Sequence, residues 1–399
     1  MAARRETRVP PSRVFRVLVA AAALLLTACA GPDEPDETAA LRPGELLTAQ
    51  PLTTAAALPS AASTRLITYV SEDSHGRPIV VSGTVAVPRS TPPDGGWPVI
   101  SWAHGTTGYA DTCAPSVDTD DGPDHEYLGL VTKTLDTWVA RGYAVVQTDY
   151  QGLGTPGGHP YIDGVSEANT VIDIVRAART LDPSIGTDWV VMGHSQGGQA
   201  ALFTAQDAED RAPDLDLRGA VAIAPGGVGL SQAVDFVRSG RPEAEAAEAF
   251  LPLIVLGAQV VEPSIDPNRI FTPQAMPLVT AARTGCLPQV RAIPPVPAAQ
   301  VFAADADLTA LTDHLTRQDP THVTPRVPTM IAQGTADVLV SEAGTETLVK
   351  ALCGRDVDVD YHVYPGQDHR ATVPGSLPAA QDFVSKVMGG EPTPVTCQR

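Results

Sequence analysis

The sequence predicts an α/β fold: a mostly parallel central sheet flanked by helices, with a helical insertion between the sixth and seventh strands. Three observations carry this. Short apolar runs, long enough for strands buried on both faces, alternate with amphipathic helical stretches, the pattern of βαβ units. One such run, Trp189-Val190-Val191-Met192, leads directly into Gly193-His194-Ser195-Gln196-Gly197 and then a helical stretch from Gln199 to Gln206. The alternation stops between Val228 and about Thr324, where the chain reads as helical and Ala/Pro-rich, and resumes at Val327.

The elements follow in order. Arg4, Arg5, Arg8, Arg13 and Arg16 precede an apolar stretch from Val17 to Leu26, too short to span a bilayer as a mature helix. Residues 1–28 therefore read as an export signal. Leu26-Thr27-Ala28-Cys29 resembles a bacterial lipobox, which implies cleavage before Cys29 and a lipid on its thiol; ordinary secretion is the alternative. Residues 29–57 are expected to be an acidic, Pro-rich tether, and residues 58–399 a single catalytic domain with a cap inserted at about 228–324. Two runs between Thr64 and Pro88, turning at Ser74-His75-Gly76, read as an antiparallel hairpin. A strand from Trp97 to Ala103 ends in His104-Gly105, a pair that can shape the surroundings of an oxyanion. A solvated acidic loop with Asp118, Asp120, Asp121 and Asp124 comes next, since its spacing misses that of a calcium loop. A helix, a strand from Tyr143 to Thr148 and a helix from about Val165 to Leu181 then lead to the Ser195 strand. A strand from Leu217 to Ala224 precedes the insertion. Beyond it lie a strand from Val327, a helix from Glu342 to Leu352, a strand in VDVDYHVYPG and a last helix from about Leu377 to Met388.

The formal net charge of −19 disfavours nucleic acid and anionic lipid headgroups as partners, apart from any N-terminal lipid anchor to a membrane. Export makes the four remaining cysteines informative. Cys113, Cys286, Cys353 and Cys397 form an even set suited to two disulfides, with three connectivities open. No cysteine spacing suggests zinc, and no metal or organic cofactor is expected.

The chemistry centres on Ser195. A strand, a glycine-flanked serine and a helix form the nucleophile elbow of α/β-hydrolases, which exposes the serine Oγ at a helix N-terminus. Serine is a weak nucleophile without a base, and the base needs an orienting acid. In these enzymes the chain order is Ser, acid, His. His314 and His322 belong to the insertion or its exit, and His362 lies within a strand, so His369, in the loop after that strand, is the expected base. Asp337 ends the strand after the insertion and is preferred as the acid over Asp368, whose side chain should point away from its neighbour His369.

The chain resembles the secretory lipase family, the lipase A group of fungal and bacterial secreted lipases, from about Leu66 to Cys397. The resemblance rests on DTCAPS around Cys113, GYAVVQTDYQG around Asp149, the Ser195 elbow, TGCLPQV around Cys286, and the Asp337 and His369 loops. It implies a Ser195–His369–Asp337 triad, disulfides Cys113–Cys286 and Cys353–Cys397, an oxyanion hole at Asp149 and the N–H of Gln196, and a lipase cap. For Asp149 the favoured expectation is a buried, protonated carboxyl that donates to the oxyanion.

The expected protein is an exported serine hydrolase of acyl esters or lipids, at the outer face of the cytoplasmic membrane or secreted. The alternatives are another serine hydrolase of the same fold, a peptidase or acyltransferase, or a non-catalytic envelope lipoprotein that binds through the cap cleft.

Overall fold

The computed structural model describes residues 41–241 and 247–397; the expected export signal and Cys29 lie outside them. The central sheet has nine strands in the order β1-β2-β3-β5-β4-β6-β7-β8-β9. The expected hairpin is present as β2 (Ala61–Glu72) and β3 (Pro78–Pro88), antiparallel to each other, and β3 is also antiparallel to β5 (Ala144–Thr148). From β5 onward the neighbours run parallel through β4 (Trp97–Ala103), β6 (Ile185–His194), β7 (Asp216–Ile223), β8 (Thr329–Gly334) and β9 (Val359–Tyr364).

One boundary is corrected. Residues 46–51, expected within the tether, form β1 (Leu46–Pro51), antiparallel to β2. Five of its six side chains are exposed, so nothing in its apolar pattern marks it as a strand. It exists because the edge of β2 offers unpaired backbone groups. The extra strand also places the insertion between the seventh and eighth strands of the sheet rather than the sixth and seventh.

Both faces of the sheet are covered, which explains the nearly continuous apolar runs. Trp189 and Val191 of β6 pack in one cluster with α2 (Gly164–Leu181) and α3 (Gln196–Arg211). Val190 and Met192, pointing the other way, pack with α1 (His125–Ala140) and α11 (Thr372–Gly389). The strand order reverses between β4 and β6. Such a switch leaves a crevice at the carboxyl ends of the strands, and β6 delivers Ser195 there.

The insertion folds as α4 (Leu230–Arg238), α5 (Leu251–Val261), α6 (Pro267–Ile270), α7 (Met276–Thr284), α8 (Leu287–Arg291) and α9 (Thr309–Arg317). These helices share a buried cluster that includes Leu253, Val279, Val290 and Leu311 and takes in Tyr161 and Ile162 from the loop after β5. Cys113 is bonded to Cys286, and the N–H of Leu287 donates to the carbonyl of Thr107 at 2.8 Å, so α8 is stapled to the loop after β4. The second disulfide joins Cys353, at the end of α10 (Glu342–Cys353), to Cys397 in the C-terminal tail. Both pairings are those the family resemblance implied.

Candidate active site

Ser195 lies on the turn between β6 and α3 with φ 59° and ψ −119°, a conformation that costs on the order of 1–3 kcal/mol for a residue with a side chain. The turn is tight enough to fix its neighbours. A Cβ on Gly193 would lie 2.0 Å from the carbonyl oxygen of Gly197, and one on Gly197 would lie 1.9 Å from that of Ala103. The backbone is held by its own bonds. The Ser195 N–H donates to the carbonyl of Ile223 at 2.9 Å, and the Ser195 carbonyl accepts from the N–H of Gly198 and of Gly226, each at 2.9 Å. Ser195 thus caps α3, whose first N–H groups concentrate positive potential beside it.

His369 Nδ1 donates to Asp337 Oδ2 at 2.6 Å. Burial alone would raise the Asp337 carboxyl; the hydrogen bond and charge of His369, with the N–H groups of Val340 and Leu339, outweigh it and hold the group below its ordinary value. With its proton on Nδ1, the ring offers bare Nε2 as a base. Asp368 instead accepts from the N–H of Ala371 at 2.8 Å, at the start of α11. His362 pairs with Asp360 at 3.0 Å on β9, a packing role.

His194, just before the serine, is fully engaged. Its Nε2 lies 2.9 Å from the carbonyl of His369, which can only accept, so Nε2 carries the hydrogen. Nδ1 therefore accepts from Tyr127 Oη at 3.0 Å, and Tyr127 Oη accepts from the N–H of Gly105 at 2.8 Å. Burial, then the charge of His369, keeps the ring neutral by pushing its pKa well below the usual value. One hydrogen-bonded chain thus joins the loop after β4, the elbow and the His369 loop.

Gln196 is clamped from below. Its side-chain amide donates to Glu167 Oε1 at 2.7 Å and to His159 Nε2 at 3.0 Å, while His159 Nδ1 donates to the carbonyl of Gln151 at 3.0 Å. Burial raises the Glu167 carboxyl well above its ordinary value and lowers His159 to about 3, so the His159 ring is neutral at pH 7. Tyr127, His159, Glu167 and the role of His194 were not foreseen from sequence.

The expectation for Asp149 needs correction. Its N–H donates to the carbonyl of Ser82 at 2.9 Å. Its carboxyl accepts from Ser82 Oγ at 2.6 Å, Ser116 Oγ at 2.6 Å and the Ser116 N–H at 2.9 Å. Burial raises its pKa and these donors offset that only in part; by its hydrogen bonds the carboxyl is an acceptor that ties the loop after β5 to β3 and to residues 115–117. Neither its backbone nor its side chain is free to meet an oxyanion. His104 is likewise buried: its Nδ1 lies 2.8 Å from the carbonyl of Gly105, and its ring packs on Tyr150 with centroids 4.2 Å apart. The acidic loop is less solvated than expected, since Asp118 and Asp124 are buried, Asp118 pairing with His125 at 2.7 Å. No group of three metal-ligating side chains occurs among the described residues.

A small cavity of about 30 Å³ holds Ser195 with Gly105, Thr106, Tyr127, His194 and His369 on the sheet side, and Phe250, Leu287 and Arg291 from the insertion. Leu339 and Arg370 also border it and continue into an outer chamber of about 590 Å³. The insertion therefore walls the cavity at the predicted nucleophile.

The same architecture recurs in known proteins. The X-ray structure of Candida antarctica lipase A superposes with a TM-score of 0.77 at 19% identity, covering 91% of this chain and 86% of that one. The rice cell wall degrading esterase LipA from Xanthomonas oryzae superposes with a TM-score of 0.66 at 21% identity, covering 86% and 96%. In sequence, Lipase A of Moesziomyces aphidis is 26% identical over 306 residues, 71% of this chain. The match spans only 64% of the length of that relative. A protein named "Probable inactive lipase" from Mycobacterium tuberculosis is 25% identical over 366 residues, 84% of this chain and 76% of its own length. The family model described as serine aminopeptidase, S33, matches residues 124–373. That span runs from the start of α1 into α11 and encloses the elbow, the Asp337 loop and His369; the chain belongs to the serine aminopeptidase S33 family of α/β-hydrolases.

Proposed function

We propose that the protein hydrolyses carboxylic esters through an acyl-enzyme on Ser195. The observation that carries this reading is the shared cavity: Ser195 and His369 border it together, and Asp337 holds His369 Nδ1 at 2.6 Å. His369 Nε2 takes the proton from Ser195 Oγ as it attacks the ester carbonyl, and Asp337 stabilises the imidazolium. The N–H of Gln196, at the start of α3, and that of Thr106, in the loop after β4, serve as oxyanion donors. His369 returns the proton to the leaving alcohol, and water releases the acid by the same steps in reverse.

The lipase and esterase names of the relatives support an ester or lipid substrate, and the insertion at about 228–324 serves as the cap over it. Residues 1–28 act as the export signal, and Cys29 carries the lipid anchor. Two disulfides are compatible with that compartment. Mass spectrometry of the mature N-terminus should find lipidated Cys29; an unmodified start elsewhere leaves only secretion.

A p-nitrophenyl ester series of increasing acyl length, run beside Ser195→Ala, tests the activity. Turnover should fall by several orders of magnitude in the variant. The S33 description favours one second reading, cleavage of an aminoacyl amide, and faster turnover of an amino acid p-nitroanilide than of any ester would select it. The relative named as inactive raises a third, a binding protein without turnover. Failure of a fluorophosphonate to label Ser195 would establish that.

A further inference from the structure

The cavity at Ser195 is bordered by two arginines and no carboxylate, in a chain whose formal net charge is −19. Arg291 ends α8, and Arg370 follows His369; both border the inner cavity and the outer chamber, at the junction of the two. Arg370 is held in place. Its Nη2 lies 3.5 Å from Asp124, its Nη1 lies 3.3 Å from Glu126, and its guanidinium sits over the Tyr127 ring, 5.4 Å from the centroid. Arg291 differs. Its guanidinium rests over the Phe250 ring at 5.3 Å, and although the charge of Asp124 acts on it, no carboxylate lies within ion-pair distance of it among the described residues. Of the carboxylates lining the outer chamber, Glu248 accepts from the N–H of Val296 at 2.9 Å and Asp368 from that of Ala371 at 2.8 Å.

A guanidinium steadied on an aromatic face, with no carboxylate paired to its donor edge, matches a carboxylate or phosphate in geometry and charge. The inner cavity is small, about 30 Å³, so a group at its rim is close to the carbonyl attacked by Ser195. The outer chamber, with Leu278, Val290, Ile293 and Val338 on its wall, suits an apolar chain. We infer that Arg291, next to Arg370, forms a subsite for an anionic group, a carboxylate or a phosphate, borne by the substrate within a few atoms of the ester. This rests on the ester-hydrolase reading and specifies its substrate class.

Two matched pairs test it on the purified protein. The carboxylate arm compares mono-4-nitrophenyl adipate with 4-nitrophenyl hexanoate. The phosphate arm compares butyrylglycerol 3-phosphate with monobutyrin. In at least one arm the anionic member should have a kcat/KM about tenfold higher, equivalent to about 1.4 kcal/mol. Arg291→Gln should bring that ratio close to one, and Arg291→Lys should restore most of it. The arm with the larger ratio identifies the anion. A ratio near one in both arms, or one that Arg291→Gln leaves unchanged, overturns the subsite. If no ester is turned over, the ester-hydrolase reading fails by itself. The subsite is then decided by calorimetry on Ser195→Ala, where adipamic acid should bind about tenfold more tightly than hexanamide, and equal binding overturns it.

Discussion

Replacing Gly197 by Ala should uncouple the elbow from the loop that faces it. The added Cβ would lie 1.9 Å from the Ala103 carbonyl oxygen and 2.8 Å from that of His104, whereas ordinary contact begins at 3.4 Å. Both obstacles are backbone, one at the end of β4 and one just beyond it, so no side chain can rotate away. The α3 N-terminus and the β4 end must separate by about 3.4 − 1.9 = 1.5 Å, or the variant keeps the clash. Ser195 and Gln196 ride on one side of that gap and Gly105 and Thr106 on the other. Overpacking of this kind costs roughly 1–3 kcal/mol or more in stability. A misplacement of about 1 Å between reacting groups can cost about 100-fold in rate. Gly197→Ala should therefore lower the urea midpoint and reduce kcat/KM on a short p-nitrophenyl ester by about 100-fold or more, with slower fluorophosphonate labelling. A variant with the wild-type midpoint and rate would refute the close-approach argument and the placement of the oxyanion donors across that gap.

Three further outcomes follow from the site. Asp337→Ala should lower kcat by several orders of magnitude while Asp368→Ala stays near wild type; the reverse pattern in steady-state kinetics would transfer the acid role to Asp368. Asp149→Ala should act on stability, because it strands the hydroxyls of Ser82 and Ser116 and the Ser116 N–H, each worth about 1–3 kcal/mol when left unpaired. A variant that keeps its unfolding midpoint yet loses turnover would return Asp149 to the oxyanion. Burial raises the Asp124 carboxyl from 3.8 to about 7, against the opposing charges of Arg370 and Arg291 and with the help of Asp118 and Glu126. A raised acid pKa means that the folded state holds the proton more tightly. The wild type thus loses stability as pH rises from about 4 to about 7, by up to roughly 4 kcal/mol. Asp124→Asn should melt higher than wild type at pH 8 and show no such gain at pH 4. Equal melting temperatures at pH 8 would contradict this.

The sequence by itself determined whatever depends on neighbours along the chain. Apolar runs buried on both faces announced the strands, and glycines two residues either side of Ser195 announced a turn that excludes a Cβ. Chain order together with loop position pointed to His369 and Asp337. The pairing of the cysteines was already implied by the family resemblance. Tertiary structure decided whatever depends on partners far apart in the chain. The exposed residues of β1 become a strand only because β2 has an open edge. Asp149 looked like an acid awaiting an oxyanion until β3 and the turn at Ser116 were folded against it, giving it three donors. Nothing in the sequence marks Tyr127 or Glu167; they matter because α1 brings Tyr127 to His194 and α2 brings Glu167 to Gln196. Arg291 and Arg370, one on the insertion and one beyond β9, share a cavity only once the insertion has folded over the sheet. Periodicity and turn chemistry act over a few residues and can be read directly, whereas the partner of a polar side chain is set by which distant element packs beside it.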